Sequence, residues 1–329
     1  MERRGWRNAG TVVLALGLLA GVLAASVLFV ASWAGELAAS WTPHIAIGLL
    51  GLALIALLFG RRSWAVVQAV LAVVLLAGAA PAVLTSAQAM ARHGVAESDA
   101  DLRLVFANLN IGNTEVDALA QWLAEQDGDV IVVTEILPRH MPVLEAALVD
   151  YPWKLAEPRP HAFGQVIFSR LPLQDETVAA LDAGAWSSPI PVLVSASVAV
   201  GEGRLRIAGF HPYPPLLPGT APERDAQLRQ AGDLLGLTPG PMVVTGDFNA
   251  TAWSPALRDF ARHSGLSGFN LAPTWPSQLG LAGIAIDHAL VGHGVVITRL
   301  RIGPWLGSDH RPIVVDLALT RVQGSPGTP

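Results

Sequence analysis

The chain has 329 residues, 52% hydrophobic and 14% charged, with a mean hydropathy of +0.45 and a formal charge of −5. A wholly soluble chain carries about a quarter charged residues, so part of this one is expected to lie out of water. The absence of cysteine excludes disulfides, thiolate nucleophiles and Cys-based zinc sites.

The apolar excess lies near the start, in three runs at about 9–33, 43–59 and 64–84. A helix rises 1.5 Å per residue, so about 20 apolar residues cross the roughly 30 Å hydrocarbon core. The three runs are therefore predicted to be transmembrane helices, the second at the short end, and residues 1–85 a membrane anchor. Arg3, Arg4 and Arg7 precede the first run, Arg61 and Arg62 join the second to the third, and the link from Glu36 to Thr42 has no basic residue. The positive-inside rule then puts the N-terminus in the cytoplasm and everything after about residue 90 outside. A cleaved signal peptide is the other reading of the first run, but the run is longer than a usual signal h-region.

Residues 86–100 (SAQAMARHGVAESDA) read as a linker, 101–320 as one domain, and 321–329 as a disordered tail. From residue 100 onward there are 15 basic and 22 acidic side chains, a balance that disfavours a nucleic-acid partner. Nine runs rich in Val and Ile read as strands: LRLVFANLNI, DVIVVTEI, GQVIFS, PVLVSASVAV, RLRIAGFH, PMVVTGDFN, AIDHALVG, VVITRLRIG and RPIVVDLAL. Between them TEVDALAQWLAEQ (with Thr114 as its cap), MPVLEAAL, APERDAQLRQAGDLLG and SPALRDFARHSG read as helices. Stacked sheets with helices outside, an α/β (α+β) architecture, is the natural packing.

Polar residues gather at the ends of these strands. Asn108 and Asn110 close the first, Glu135 the second, His211 the fifth, and Asp247 and Asn249 the sixth. Asp287 opens the seventh, and Ser308-Asp309-His310-Arg311 precede the last. Residues two apart on a strand share a face, so Asn108 with Asn110, and Asp247 with Asn249, can point into one site. Any one of these is readily a turn residue or a solvated acid. Their coincidence at strand ends points instead to a site. Carboxylates, carboxamides and histidines suit Mg²⁺, with Mn²⁺ as a substitute, and phosphate chemistry.

The ordered series N…E…H…GDFN…D…SDH resembles the endonuclease/exonuclease/phosphatase superfamily over about 101–320. The resemblance implies a four-layer sandwich of two β-sheets between helices. It further implies Glu135 as the main metal carboxylate with Asn108 beside it, and Asp309 as a second metal-site carboxylate. Asp247 would activate or orient water, and Asn249 would hold phosphate or water. His310 would contact the scissile phosphate with Asp287 orienting it, His211 would contact phosphate, and Asn110 is a weaker match. Ser308 and Arg311 read as local support, Arg311 through a salt bridge. Thr134 stands where many members have Gln, and the Lys/Arg-rich loop of DNA-cleaving members is missing. Trp186, Trp253 and Trp305 read either as core or as an interfacial belt. An anchored domain of this kind resembles the membrane phosphatases linked to cell-wall lipid carriers and glycopeptide tolerance. The expected function is a membrane-tethered, extracytoplasmic Mg²⁺-dependent phosphoesterase acting at the lipid bilayer on a lipid-linked or wall-precursor phosphate or pyrophosphate. The alternatives are an extracytoplasmic nuclease acting on DNA, a sphingomyelinase-like phosphodiesterase, or a non-catalytic binding module. A transporter is disfavoured, because the apolar runs hold no mid-helix ionisable residue.

Overall fold

Alternation of apolar residues along the strands dictates the architecture. In β1 (Leu102–Asn108), Leu102, Leu104 and Phe106 face one way, and Val105 and Ala107 the other. Both sets are buried, so the strand must be covered on both faces. A computed structural model of the chain describes residues 16–19, 21, 33–91, 100–182, 189–237 and 240–320 and shows how this is done.

The other strands are β2 (Val130–Thr134), β3 (Trp153–Glu157), β4 (Gln165–Ser169), β5 (Gln174–Ala180), β6 (Val192–Val200), β7 (Gly203–Phe210), β8 (Met242–Asp247), β9 (Asp287–Val291), β10 (Val295–Ile302) and β11 (Ile313–Leu319). One sheet runs β10-β11-β1-β2-β4-β3 and the second β5-β6-β7-β8-β9. Each is antiparallel except for one parallel pair, β1 with β2 and β7 with β8. Leu104, Phe106, Val132, Ile207 and Val243 meet between the sheets. Helices α4 (Val116–Glu125) and α5 (Met141–Ala147) cover the outside of the first sheet through Leu119, Leu123 and Leu144. Helices α6 (Thr220–Gly236) and α7 (Pro255–His263) cover the second through Leu228, Leu235, Leu257 and Phe260. The predicted sandwich of two mixed sheets between helices is the observed one.

The sequence reading passed over β3 and β5. Both are edge strands: β5 is mostly exposed and opens on four polar residues, and β3 is five residues, exposed or half-buried, so neither shows a long apolar run. Thr114 does not cap α4, whose cap position is Glu115 without a side-chain bond. Ser254 does cap α7, accepting from the Leu257 N–H.

Ahead of the sandwich lie α1 (Trp33–Ser40), α2 (Thr42–Leu58) and α3 (Arg62–Ala91). Among the described residues only α3 is by itself long and apolar enough to cross a membrane, over Arg62–Ala89. The pair α1 and α2 meets that measure jointly but is bent by 76°. Most of the first expected span, 9–33, lies outside the described residues, as does the tail 321–329. The expected linker at 86–100 is shorter than predicted: α3 continues through Ala91, and residues 92–99 lie outside the description.

These N-terminal helices touch the sandwich. Ala82 of α3 enters the apolar cluster beneath α6 and α7. Trp33 Nε1 of α1 donates to the Pro215 carbonyl at 2.7 Å. Glu36 Oε1 lies 2.8 Å from Arg224 Nη2, close enough for an ion pair though not aligned as a hydrogen bond.

Candidate active site

Parallel neighbours end at the same edge of a sheet, and this places the site. Asn108 at the end of β1 lies opposite Thr134 at the end of β2, and Glu135 follows. In the second sheet β7 ends at Phe210, just before His211, beside β8 and its terminal Asp247. Antiparallel β9 brings Asp287 into register with Asp247. Face-to-face packing of the sheets joins these two sets of ends.

The focus is one oxygen, Asp247 Oδ2. Asn108 Nδ2 donates to it at 3.1 Å, and His211 Nε2 and His310 Nε2 each stand 3.5 Å away. The other oxygen, Oδ1, accepts from the Asn249 N–H at 2.8 Å, which fixes the carboxylate's orientation. Asn108 Nδ2 also donates to Glu135 Oε1 at 3.0 Å, and Glu135 Oε2 accepts from the Ile111 N–H. His211 Nε2 lies 3.9 Å from Glu135 Oε1, and its Nδ1 lies 3.1 Å from the Ala162 carbonyl. Asp287 grips His310 Nδ1 with both oxygens, at 3.0 and 2.9 Å.

The backbone is bent to make this possible. Asn110, Glu135 and Asn249 all have positive φ, 63°, 61° and 50°. Such a conformation costs a non-glycine residue on the order of 1 kcal/mol or more and gathers at functional positions. In GDFN, a Cβ at Gly246 would run into the Phe210 carbonyl, so only glycine lets β8 lie this close to β7. Ser308 Oγ donates to the Asn108 carbonyl at 2.8 Å and accepts from the His310 N–H at 3.0 Å, tying the last loop to β1. That is the support expected of Ser308.

Burial and charge then set protonation. Burial opposes a charge on His310, but Asp287 and next Asp247 outweigh it and raise the imidazole to about 10. Burial lifts Asp247 to about 6, with His310 pulling it back and Asp287 pushing it up. A carboxylate held close to neutrality beside a cationic imidazole can accept a proton while the imidazolium donates a hydrogen bond. The next residue, His288, behaves oppositely. Burial lowers it to about 4. Its Nδ1 accepts from the Asn270 N–H, so Nε2 carries the proton toward the Ala250 carbonyl. It is a neutral strut under the GDFNA loop.

The structure thus brings together Glu135, Asn108, His211, Asp247, Asp287 and His310, and it changes the part played by others. Asn108 turns its amide nitrogen to the two carboxylates and its oxygen to the Asn110 N–H, so it bridges Glu135 and Asp247. Asp309 stands outside the cluster, with Oδ1 bonded to Asn110 Nδ2 and Oδ2 to Trp275 Nε1. Asn249 directs its side-chain amide to the Pro212 carbonyl at 3.0 Å. Arg311 makes a bond to the Gly303 carbonyl where a salt bridge was expected. Trp253 packs on the second-sheet core, Trp305 is exposed, and Trp186 lies outside the described residues. Sequence reasoning missed His288, Asn270 and Arg224. Arg224 is fully buried, and its Nη1 donates to the Asn249 carbonyl at 3.0 Å. A cavity of about 670 Å³ lies apart from the cluster, between α1 and helices α6 and α7.

Two triads have ligand atoms all within 4.8 Å of one another, Glu135–His211–Asp247 and Asp247–Asp287–His310. In the second, Asp287 and His310 already satisfy each other, which leaves Glu135, Asp247 and His211 as the set that could hold a metal. Two carboxylates and an imidazole suit a hard or borderline divalent ion.

Solved structures share the fold. An endonuclease/exonuclease/phosphatase from Beutenbergia cavernae is similar at 18% identity, with TM-score 0.57 and 68% of this chain and 73% of that one covered. The TDP2 of D. rerio complexed with single-strand DNA product is similar at 15% identity, TM-score 0.56, with coverage of 66% and 98%. Beta toxin from Staphylococcus aureus is similar at 15% identity, TM-score 0.54, with coverage of 65% and 99%. No curated protein matches the sequence. The model of the Endonuclease/Exonuclease/phosphatase family matches residues 105–310, from within β1 to His310, and so takes in every residue of the cluster around Asp247. The chain belongs to that family and is an enzyme acting on phosphate ester bonds.

Proposed function

We propose that the protein is a membrane-tethered, extracytoplasmic phosphoesterase that uses Mg²⁺ or Mn²⁺ to hydrolyse a lipid-linked or wall-precursor phosphate ester or pyrophosphate. The reading includes three transmembrane helices, with α3 as the last and the N-terminus in the cytoplasm. It also includes the likeness to membrane phosphatases of cell-wall lipid carriers. The observation that carries the lipid part is the docking of the apolar helices on the catalytic domain, through Trp33 to Pro215 and Glu36 to Arg224. Leu279, Leu281 and Trp305 support it, being exposed on the two segments that flank Asp309.

Glu135, beside His211, would hold a divalent ion, which would supply neutralising charge for the phosphoryl oxygens. The residues themselves do the rest. Asn249 N–H pins Oδ1 of Asp247, leaving Oδ2 to accept the proton of the attacking water. Asp287 keeps His310 charged and aims its Nε2 at the same space, where it donates to the phosphoryl oxygen as charge builds there.

Inorganic phosphate release from a polyprenyl pyrophosphate in detergent tests this reading, with Mg²⁺ or EDTA and with wild type or Asp247→Ala. Release should need the metal and fall about 10²–10⁴-fold in the variant. No release from folded wild type would rule out that substrate. A nuclease is the second reading, favoured by the fold likeness to D. rerio TDP2 with its DNA product. The excess of acidic side chains opposes it. Plasmid nicking by the same samples separates the two.

A further inference from the structure

The α2–α3 hairpin fixes where a bilayer surface would meet the domain. Ala46 and Leu49 of α2 pack on Ala72 and Leu75 of α3, and Ala53 and Ala56 on Ala65. This antiparallel pairing sets Thr42, where α2 begins, level with Gly78 and Ala79. The 17 residues of α2 rise about 25 Å. Large apolar side chains are exposed along both helices. At Gly78 the domain takes over: Arg258 Nη1 donates to the Gly78 carbonyl at 3.2 Å, and Ala82 joins the domain core. Helix α1 leaves α2 at 76°. Its eight residues, about 12 Å of helix, therefore climb only about 3 Å above that level if the hairpin is upright. Trp33 lies at the far end of α1, with its indole N–H on the Pro215 carbonyl. The next two residues, Leu216 and Leu217, are 67% and 53% exposed, beside an aromatic that suits the interface.

We infer that the Leu216–Leu217 loop is seated in the outer surface of the bilayer and turns the phosphoesterase centre toward the lipid head groups. The inference rests on the membrane-spanning reading proposed above and adds the element that contacts lipid. Its root is bound to the site, because the Pro212 carbonyl accepts from Asn249 Nδ2. The Tyr213 hydroxyl donates to the Pro189 carbonyl, and its N–H to Gln227 Oε1, which stiffens the loop between root and tip. His211 precedes Pro215 by four residues, so even a fully extended chain separates them by about 14 Å at most. A head-group layer is about 5–8 Å deep on each side of the hydrocarbon. A head-group phosphate beside Pro215 is then no more than about 14 Å from His211. The occupant of the loop's surface is lipid because the loop is continuous, through Trp33 and α1, with the lipid-exposed hairpin.

The chain has no native cysteine, so a single Leu216→Cys in the full-length protein takes one environment-sensitive fluorophore. In phosphatidylcholine vesicles the label should emit to the blue of its aqueous position and be quenched by lipids brominated high on the acyl chain. A label in water overturns the inference. So does a blue-shifted label that bromine does not quench, which would mean that protein, such as a second copy of the chain, covers the loop. A second variant, Leu216→Asp with Leu217→Asp, reads the consequence. Hydrolysis of a polyprenyl pyrophosphate in vesicles should fall at least about tenfold, while hydrolysis of bis(p-nitrophenyl) phosphate in solution stays at the wild-type rate. Equal loss on both substrates, or no loss on either, overturns the orienting role. If wild type cleaves neither substrate, the proposed activity fails, and the quenching experiment still decides where the loop sits.

Discussion

Asp287 holds His310 by two hydrogen bonds and is its largest source of raised basicity. The imidazole is charged below about 10 and loses its charge as pH rises through that value. Asp247 works the other way, ready to accept a proton above about 6 and blocked as pH falls through it. Activity without a metal limit on Asp247 is therefore greatest between the two, and a bound cation moves the acid limb lower. In Asp287→Asn the main support of the imidazolium is gone, and the alkaline limb should slide from about 10 toward the ordinary histidine range near 6.5. A pH–rate profile of the variant reads this directly; an alkaline limb that stays in place would mean that His310 is not the group titrating there. These residues were legible in the sequence as polar groups at strand ends. The two-residue spacing failed for Asn110 and Asn249, whose positive φ breaks the strand alternation and turns their amides to Asp309 and Pro212. The contacts that His288 and Trp275 make were not legible. They act by holding a backbone carbonyl or one oxygen of Asp309, and no spacing rule announces such a bond.

Among the elements, the strands buried on both sides were the readable ones, since short Val- and Ile-rich runs bounded by Gly, Pro or Asp mark strands. The edge strands were hidden, β5 by its polar, exposed side chains and β3 by its shortness and partial exposure. Helix α1 was hidden for another reason, because its role depends on an ion pair between Glu36 and a residue far along the chain. Arg224 is fully buried and serves three partners: Glu36 on α1, Asp225, and the carbonyl of Asn249 in the site. Replacing it by methionine keeps the volume but leaves two carboxylates facing an apolar side chain. Loss of one member of a buried pair costs about 3–5 kcal/mol. For a domain of this size that lowers the melting temperature by roughly 6–20 °C. Thermal unfolding of full-length Arg224→Met in detergent should show the drop, and a change under about 2 °C would mean that α1 is not fastened to the domain as described.

At the scale of the molecule the sandwich explains the site, and the apolar helices carry the proposed membrane address. The sandwich was readable because its motifs fall in order between β1 and β11. The proposed membrane arrangement rests in the sequence on hydropathy and five arginines, which give direction without contacts. The contacts make the direction testable. Ser63 is exposed beside the Arg61-Arg62 turn at one end of the hairpin, and Leu281 is 90% exposed on the catalytic domain at the other. A single cysteine at either place is the chain's only thiol. In intact cells a membrane-impermeant maleimide should label Leu281→Cys at once and reach Ser63→Cys only after permeabilisation. The opposite pattern would put the catalytic domain in the cytoplasm, where a lipid-linked phosphate on the inner leaflet becomes the substrate to test. Labelling of both in intact cells would mean that α2 and α3 do not span the bilayer, and that the domain's contacts with them serve the fold alone.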